Sequence, residues 1–329
     1  MNPQPILVVL GFDVVILSCG WLATKSRRNT ALADLLWSAC ISASALYYGL
    51  VAGGAMLPRL LVAMMGGIGG FRLFMHLLQR MLVEPGDSRD RAGSAQGSRA
   101  SMLGFFLSKA ASATLFSIPL YVAASNPRDV ATIWTLLAAG VYIVGLSGEA
   151  YADIQLAQFR DQPRNRARTC RQGLWRYSRH PNYFFAFVHW CSYALLAVGL
   201  PWPLWSLTLL GPALTAAMAF HRISAVESRA LGTRGEDYRA YQQSTSVLLP
   251  WPPKGDAAAW YTPPAASPSP PQSITRGTPL PGARITPSPS SRLRPSTNPP
   301  VTPQPERPLD SLRNRGETAV SRLASDVDE

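Results

Sequence analysis

The chain has 329 residues, 47% of them hydrophobic and only 15% charged, with a formal net charge of +12. Long apolar runs joined by basic connectors describe a multi-span membrane protein and exclude a soluble globule. The positive charge sits in those connectors and in a polar tail, so it does not indicate a nucleic-acid partner.

The expected fold is an all-α polytopic bundle of about seven spans, each near the ~20 residues that cross a hydrocarbon core. In chain order they are predicted at residues 6–23, 31–52, 57–79, 103–123, 131–148, 183–200 and 204–220. The first five residues carry no Lys or Arg, so the opening run lacks the positive flank of a cleaved leader and reads as a retained helix. Lys25, Arg27 and Arg28 follow the first span, and Arg80, Arg89, Arg91 and Arg99 the third. Seven arginines between Arg160 and Arg179 separate the fifth and sixth. The opposite connectors are short and poor in cations, with Arg59 and Arg128 as exceptions. Basic loops face the cytosol, which places the N-terminus outside and the C-terminus inside. Cys19, Cys40, Cys170 and Cys191 form no close pair, so neither a disulfide framework nor a metal site is supported.

Past about Pro252 the composition turns to Pro, Ser and scattered Arg, as in Pro-Pro-Ala-Ala-Ser-Pro-Ser-Pro-Pro. Such a segment buries too little apolar surface to offset its ordering entropy, and a disordered tail is expected at 254–329. Its Pro-x-x-Pro spacings could meet a proline-reading domain, against the simpler reading of a solvated tail.

Several ionisable groups fall in or beside apolar runs: Asp34, Arg72, His76, Glu149, Asp153 and His189. Charge at membrane depth is costly and faces a bundle interior, a watered cavity or a partner. Arg72 and His76 share a helix face at a spacing of four. One reading makes Arg72 and Asp34 a structural ion pair between spans; another makes them, with Trp37, Glu149 and Asp153, part of a substrate site. His76 is either a hydrogen-bonded core histidine or a proton donor. Asp13 reads as a packing feature of the first span. Gly66-Gly-Ile-Gly-Gly70 lacks the strand–turn–helix context of a dinucleotide fingerprint, and close helix packing explains it better.

The densest chemistry lies at 173–185, Gly-Leu-Trp-Arg-Tyr-Ser-Arg-His-Pro-Asn-Tyr-Phe-Phe. Pro181 favours the first position of a helix. The positive end of that helix, with Arg176, Arg179 and His180 beside it, suits a phosphate-bearing ligand at the membrane surface, or simply orients the next span. This stretch resembles the signature of membrane reductases similar to the C-terminal half of steroid 5-alpha-reductase, and of the uncharacterised domains grouped with them. A wider superfamily, with sterol C14 reductases and isoprenylcysteine carboxyl methyltransferase, shares its Arg-His-Pro core. Further resemblance lies in Arg28-Asn-Thr-Ala-Leu-Ala-Asp34-Leu-Leu-Trp37, in Phe71-Arg-Leu-Phe-Met-His76, in Glu84-Pro-Gly-Asp87, and in Glu149-Ala-Tyr-Ala-Asp153. Downstream it continues through His221-Arg222, Glu227 and Asp237-Tyr-Arg-Ala-Tyr241. It covers about 29–253, leaving 1–28 as a first span with its connector.

The resemblance implies a membrane reductase that takes hydride from NADPH to an activated C=C bond of a lipophilic substrate. Arg176, Arg179 and His180 would meet cofactor phosphates, and Asn182 and Tyr183 the ribose or nicotinamide. Trp175 would stack on a ring or anchor at the interface. Arg222, Glu227, Tyr238 and Tyr241 would close the cofactor site, unless they only form a membrane-flanking helix. Tyr183 and His76 are the candidate acids. The family's Asn-Tyr-Phe-Gly-Glu is changed here, Phe185 and Ala186 standing for Gly and Glu, which removes a carboxylate from the site. An S-adenosylmethionine-dependent methyltransferase and a non-catalytic lipid-binding scaffold are the alternatives. The implied partners are a lipophilic small molecule and membrane lipids, and the expected location is the endoplasmic reticulum membrane.

Overall fold

A computed structural model describes residues 2–24, 30–83, 99–129, 131–165 and 168–254. The expected tail from residue 255, the connector cations Lys25, Arg27, Arg28, Arg89, Arg91 and Arg166, and the acidic stretch Glu84 to Asp90 lie outside them. The described chain is all helical: α1 (Gln4–Ala23), α2 (Thr30–Val51), α3 (Met56–Val83), α4 (Arg99–Ala124), α5 (Ile133–Asp161), α6 (Pro181–Leu196), α7 (Leu210–Arg234) and α8 (Glu236–Ser244). Short 3-10 turns occupy Pro163–Asn165, Gly173–Arg176 and Trp205–Leu209.

Six stretches, all the helices before α6 and the run from Trp205 through α7, are long and apolar enough to cross a bilayer. The chain is an integral multi-pass membrane protein. Helix α6 has only 16 residues, yet it also runs the depth of the bundle. Its start lies beside Asp153 near the end of α5, and its last turn meets Asn126 just past α4, whose Nδ2 donates to Leu196 O at 3.0 Å. The helix starts at Pro181, as the proline predicts, and the apolar run predicted to 200 outlasts it. The helix stops before Gly199, whose φ of +104° is left-handed and whose missing side chain leaves room for the Arg128 guanidinium. That contact also explains why Arg128 sits on the cation-poor end. Arg59, the other exception, caps α2 by donating from Nε to Gly49 O at 2.9 Å and from Nη2 to Leu50 O at 2.6 Å.

Three helices outrun their apolar predictions: α3 to Val83, α5 to Asp161 and α7 to Arg234. In each the extension carries charge beyond the apolar stretch, and the backbone hydrogen bonds continue unbroken. Lipid provides no hydrophobic drive between helices, so close approach of small residues and buried polar links hold them together. Gly66 packs on Ala45 and Gly70 on the backbone of Ser42, which joins α3 to α2 through the glycine run. Thr114 Oγ1 donates to the wholly buried Asp13 at 2.8 Å and joins α4 to α1. Around this core Leu7, Val15, Leu50, Ile68, Leu136 and Ile143 face outward, as a bundle bathed in lipid requires. The four cysteines are free, and Cys40 and Cys170 are buried.

Candidate functional site

The 173–185 stretch is built from three sides. Gly173 turns with φ +59°, and the space a side chain would need is filled by Gln155 of α5, whose Oε1 accepts from Leu174 N at 3.0 Å. Trp175 is buried, and its indole N–H donates to Ala152 O at 2.9 Å. That hydrogen bond pins its ring to α5. From the far side, the Tyr241 hydroxyl donates to Trp175 O at 2.5 Å and lies 3.2 Å from Ser178 O. Arg179 N donates to Ser246 O at 2.8 Å and Trp251 N to Tyr177 O at 3.0 Å, so the closing segment laces over the stretch. Asp237, at the start of α8, accepts from Thr169 N at 2.7 Å and from Arg171 Nη2 at 2.8 Å.

Within that frame Arg179 and His180 are buried and turn toward Glu227 of α7. The Glu227 carboxylate lies 3.4 Å from Arg179 Nη1 and 3.1 Å from His180 Nε2, and it accepts from Gln242 Nε2 at 2.7 Å. Burial pushes His180 below the usual histidine range, opposed by Glu227 and aided by Arg179. Burial likewise raises Tyr238 to about 12 and Tyr241 well above its ordinary value. Arg179 Nε is a buried donor with no hydrogen-bond partner among the described residues. Arg176 is partly exposed.

His180 precedes Pro181, the first residue of α6, so the cation cluster feeds directly into a membrane helix. One turn inside, the Tyr183 ring stacks on His180, centroids 5.4 Å apart and planes 7° from parallel. The same Tyr183 lines a cavity of about 170 Å³ in the bundle. From α6 the wall also takes Ala186, His189, Trp190 and Tyr193, and from α2 it takes Trp37, Ser38 and Ile41. Glycines 66, 69 and 70 of α3 open the space beside Leu73, while Phe116 and Leu120 of α4 close one side. Glu149 of α5 and Thr215, Met218, Ala219 and Arg222 of α7 complete it. That volume admits roughly one six-membered ring with its substituents, not a whole dinucleotide.

Two ion clusters brace the cavity. Arg72 Nη1 meets Glu149 Oε1 and its Nη2 meets Asp153 Oδ2, each at 2.5 Å. Asn182 Nδ2 donates to the other Asp153 oxygen at 3.2 Å, tying the start of α6 to α5. Asp34 takes Lys109 of α4 at 2.6 Å and Arg222 at 3.5 Å. The expected Arg72–Asp34 pair is therefore replaced by two separate clusters, because α5, not α2, faces the arginine. His76 lies 3.8 Å from Asp153 with its side chain 38% exposed, and it does not line the cavity. Of the two candidate acids the structure brings only Tyr183 to the cavity wall.

Residues 20–245 match the family DUF1295, described as proteins of unknown function. The chain belongs to the DUF1295 family. A comparison with curated proteins finds no match.

The matched region holds the whole cavity wall and both ion clusters, while Ser246 and Trp251 of the closing segment lie just beyond it. Phe185, at the position where the resemblance calls for glycine, sets its ring against Gly148 of α5, and a side chain at 148 would collide with it. Ala186 lies on the cavity wall where the resemblance calls for a glutamate, and Glu149 of α5 lines the same cavity. Sequence reading missed Tyr193 and Ser38. The signal for Tyr193 was present: Tyr183, Ala186, His189/Trp190 and Tyr193 repeat at helical spacing along one face of α6.

Proposed function

We propose that this chain is an integral-membrane reductase that delivers hydride from NADPH to an activated C=C bond of a lipophilic substrate. One observation carries the reading: Tyr183 belongs at once to the buried cation cluster, through its stack on His180, and to the wall of an apolar cavity inside the bundle. A dinucleotide reductase of lipids needs that adjacency, with phosphate-binding cations on the aqueous side and a dry ring-sized space on the other.

The donor set fits such a cofactor. Arg179 offers a buried Nε without a partner, and Arg176, Asn182 and Tyr183 add donors around the start of α6. Arg176 and Arg179 would hold phosphate, and Tyr183 would hold the ring end at the cavity. When bound, the cofactor supplies a hydride. The chain's own part is to place the acceptor bond, exclude water and hold a proton. The Tyr183 hydroxyl is the group for that last task, as an acid toward the substrate carbon or carbonyl. Glu149, held by Arg72, gives the cavity a fixed negative wall. Trp175, Tyr238 and Tyr241 act by fixing the signature in place and not by touching cofactor. The resemblance to steroid 5-alpha-reductase and the DUF1295 membership support this reading, as do basic connectors suited to a cytosolic cofactor at the endoplasmic reticulum membrane.

Equilibrium binding of NADPH and S-adenosylmethionine to purified protein tests it, with Arg179→Ala as control. NADPH binding that the control loses is the expected result. Binding of S-adenosylmethionine alone would replace the reading by methyl transfer, and binding of neither to folded protein would leave a scaffold.

A further inference from the structure

Arg222 was expected to close the cofactor site together with Glu227. It sits elsewhere. Its guanidinium lines the membrane cavity, 3.5 Å from Asp34, while that carboxylate is held more closely by Lys109 at 2.6 Å. Lys109 and Arg222 thus share Asp34 among the described residues, and the farther one, 38% exposed, borders the cavity. The Lys109 ammonium also lies 5.7 Å from the Trp37 ring centroid, so Trp37, Lys109, Asp34 and Arg222 form one continuous chain of side chains. Trp37 lines the same cavity, and its buried indole N–H has no hydrogen-bond acceptor among the described residues.

An indole N–H buried without an acceptor costs stability, and Arg222, just past the apolar run of α7, has at 3.5 Å a carboxylate that Lys109 holds more closely. Both deficits are met by one kind of group, an oxyanion. Guanidinium binds a carboxylate in a planar two-point fork, and the indole N–H adds a donor. Much of the wall is apolar, from Ile41, Leu73, Phe116, Leu120 and Met218, with Ser38, Tyr183, His189, Tyr193 and Thr215 as further polar groups. The carboxylate that faces the cavity from α5, Glu149, is already held by Arg72 at 2.5 Å and does not compete for Arg222.

We infer that the cavity takes an acidic amphiphile, a lipophilic body carrying a carboxylate, with the carboxylate set on Arg222 and assisted by the Trp37 indole. Arg222 is thereby a specificity-determining residue for the substrate and not a cofactor ligand. The inference rests on reading the cavity as the substrate site, but not on the reaction performed there.

The test is equilibrium binding of a fluorescent one-ring amphiphilic acid, a short N-alkylanthranilate, and of its methyl ester to the full chain in zwitterionic nanodiscs at pH 8.5, with empty discs subtracted. NADPH binding is measured on the same samples. Wild type is expected to bind the acid at least about tenfold more tightly than the ester, one charge-assisted contact being worth that much. Arg222→Gln is expected to erase the acid preference while leaving ester and NADPH binding unchanged. Arg222→Lys, which keeps the charge, retains part of the preference, and Trp37→Phe reduces it severalfold. Equal binding of acid and ester by wild type overturns the inference. So does an Arg222→Gln variant that weakens both alike or that loses NADPH while keeping the preference, or binding of neither probe by folded protein. Adding anionic phospholipid to the discs separates a headgroup phosphate from the carboxylate: abolition of the preference by that lipid also overturns it. A preserved acid preference with no NADPH binding anywhere leaves this inference standing and removes the reductase.

Discussion

The ring of Tyr183 lies parallel to that of His180 at 5.4 Å, so a residue of the membrane cavity and a residue of the buried cation cluster share one face. If the hydroxyl of Tyr183 donates the proton, its loss should be felt in turnover and not in binding. Tyr183→Phe keeps the stacked ring. The expected outcome is a fall in kcat of about 10²–10⁴-fold with NADPH affinity unchanged, whereas Tyr183→Leu weakens binding as well. Steady-state kinetics beside cofactor titration of both variants checks this.

Glu227 gathers Arg179, His180 and Gln242, and its side chain is mostly buried. Removing the carboxylate leaves a buried guanidinium without its counter-charge, so Glu227→Ala should destabilise the fold by about 3 kcal/mol, and Glu227→Gln by less. His180 adds a pH dependence. Its folded pKa lies below the unfolded value of about 6.5, so the unfolded chain binds the extra proton. Stability should therefore decline as pH falls below about 6.5, down to the lowered folded value. Melting curves from pH 8 to 5 should show a shallower decline in His180→Gln; identical slopes would contradict the assignment.

Gly148 and Phe185 are complementary across α5 and α6, since any side chain at 148 meets the Phe185 ring. Gly148→Ala is expected to cost about 1–3 kcal/mol through overpacking. Phe185→Ala in the same chain should recover most of that loss, a coupling a double-mutant cycle reads directly. Additive losses would mean that the two residues do not share the space.

Arg72 bridges Glu149 and Asp153. Arg72→Ala leaves two carboxylates inside the bundle and should destabilise it by about 3–5 kcal/mol, while Arg72→Ala combined with Glu149→Gln and Asp153→Asn should be markedly more stable than the single change. Thermal unfolding of the three proteins in one detergent distinguishes these outcomes.

The helices were legible because apolar length alone specifies a span, and Pro181 announced the start of α6. The end of α6 was not, because Ala197 to Leu200 are as apolar as the helix they follow and only the turn at Gly199 stops it. Helix partners were invisible for a related reason: lipid treats every apolar face alike, and nothing in the sequence says that Arg72 faces α5 while Asp34 faces α4 and α7. The Arg-His-Pro-Asn-Tyr order singled out a stretch that the structure packs between α5, α7 and the closing segment. It could not divide the residues that touch the cavity, such as Tyr183, from those like Trp175 and Tyr241 that hold the backbone. The Phe185 departure could not be placed from sequence; in space its ring lies against Gly148 of α5.

The most direct test of the reductase account is transfer of label from NADPH deuterated at the hydride position to a lipophilic enone, using purified protein and Tyr183→Phe. The account predicts deuterium at the carbon β to the carbonyl with wild type and little with the variant. NADPH bound by wild type without any transfer of label across a panel of acidic and neutral enones would contradict it.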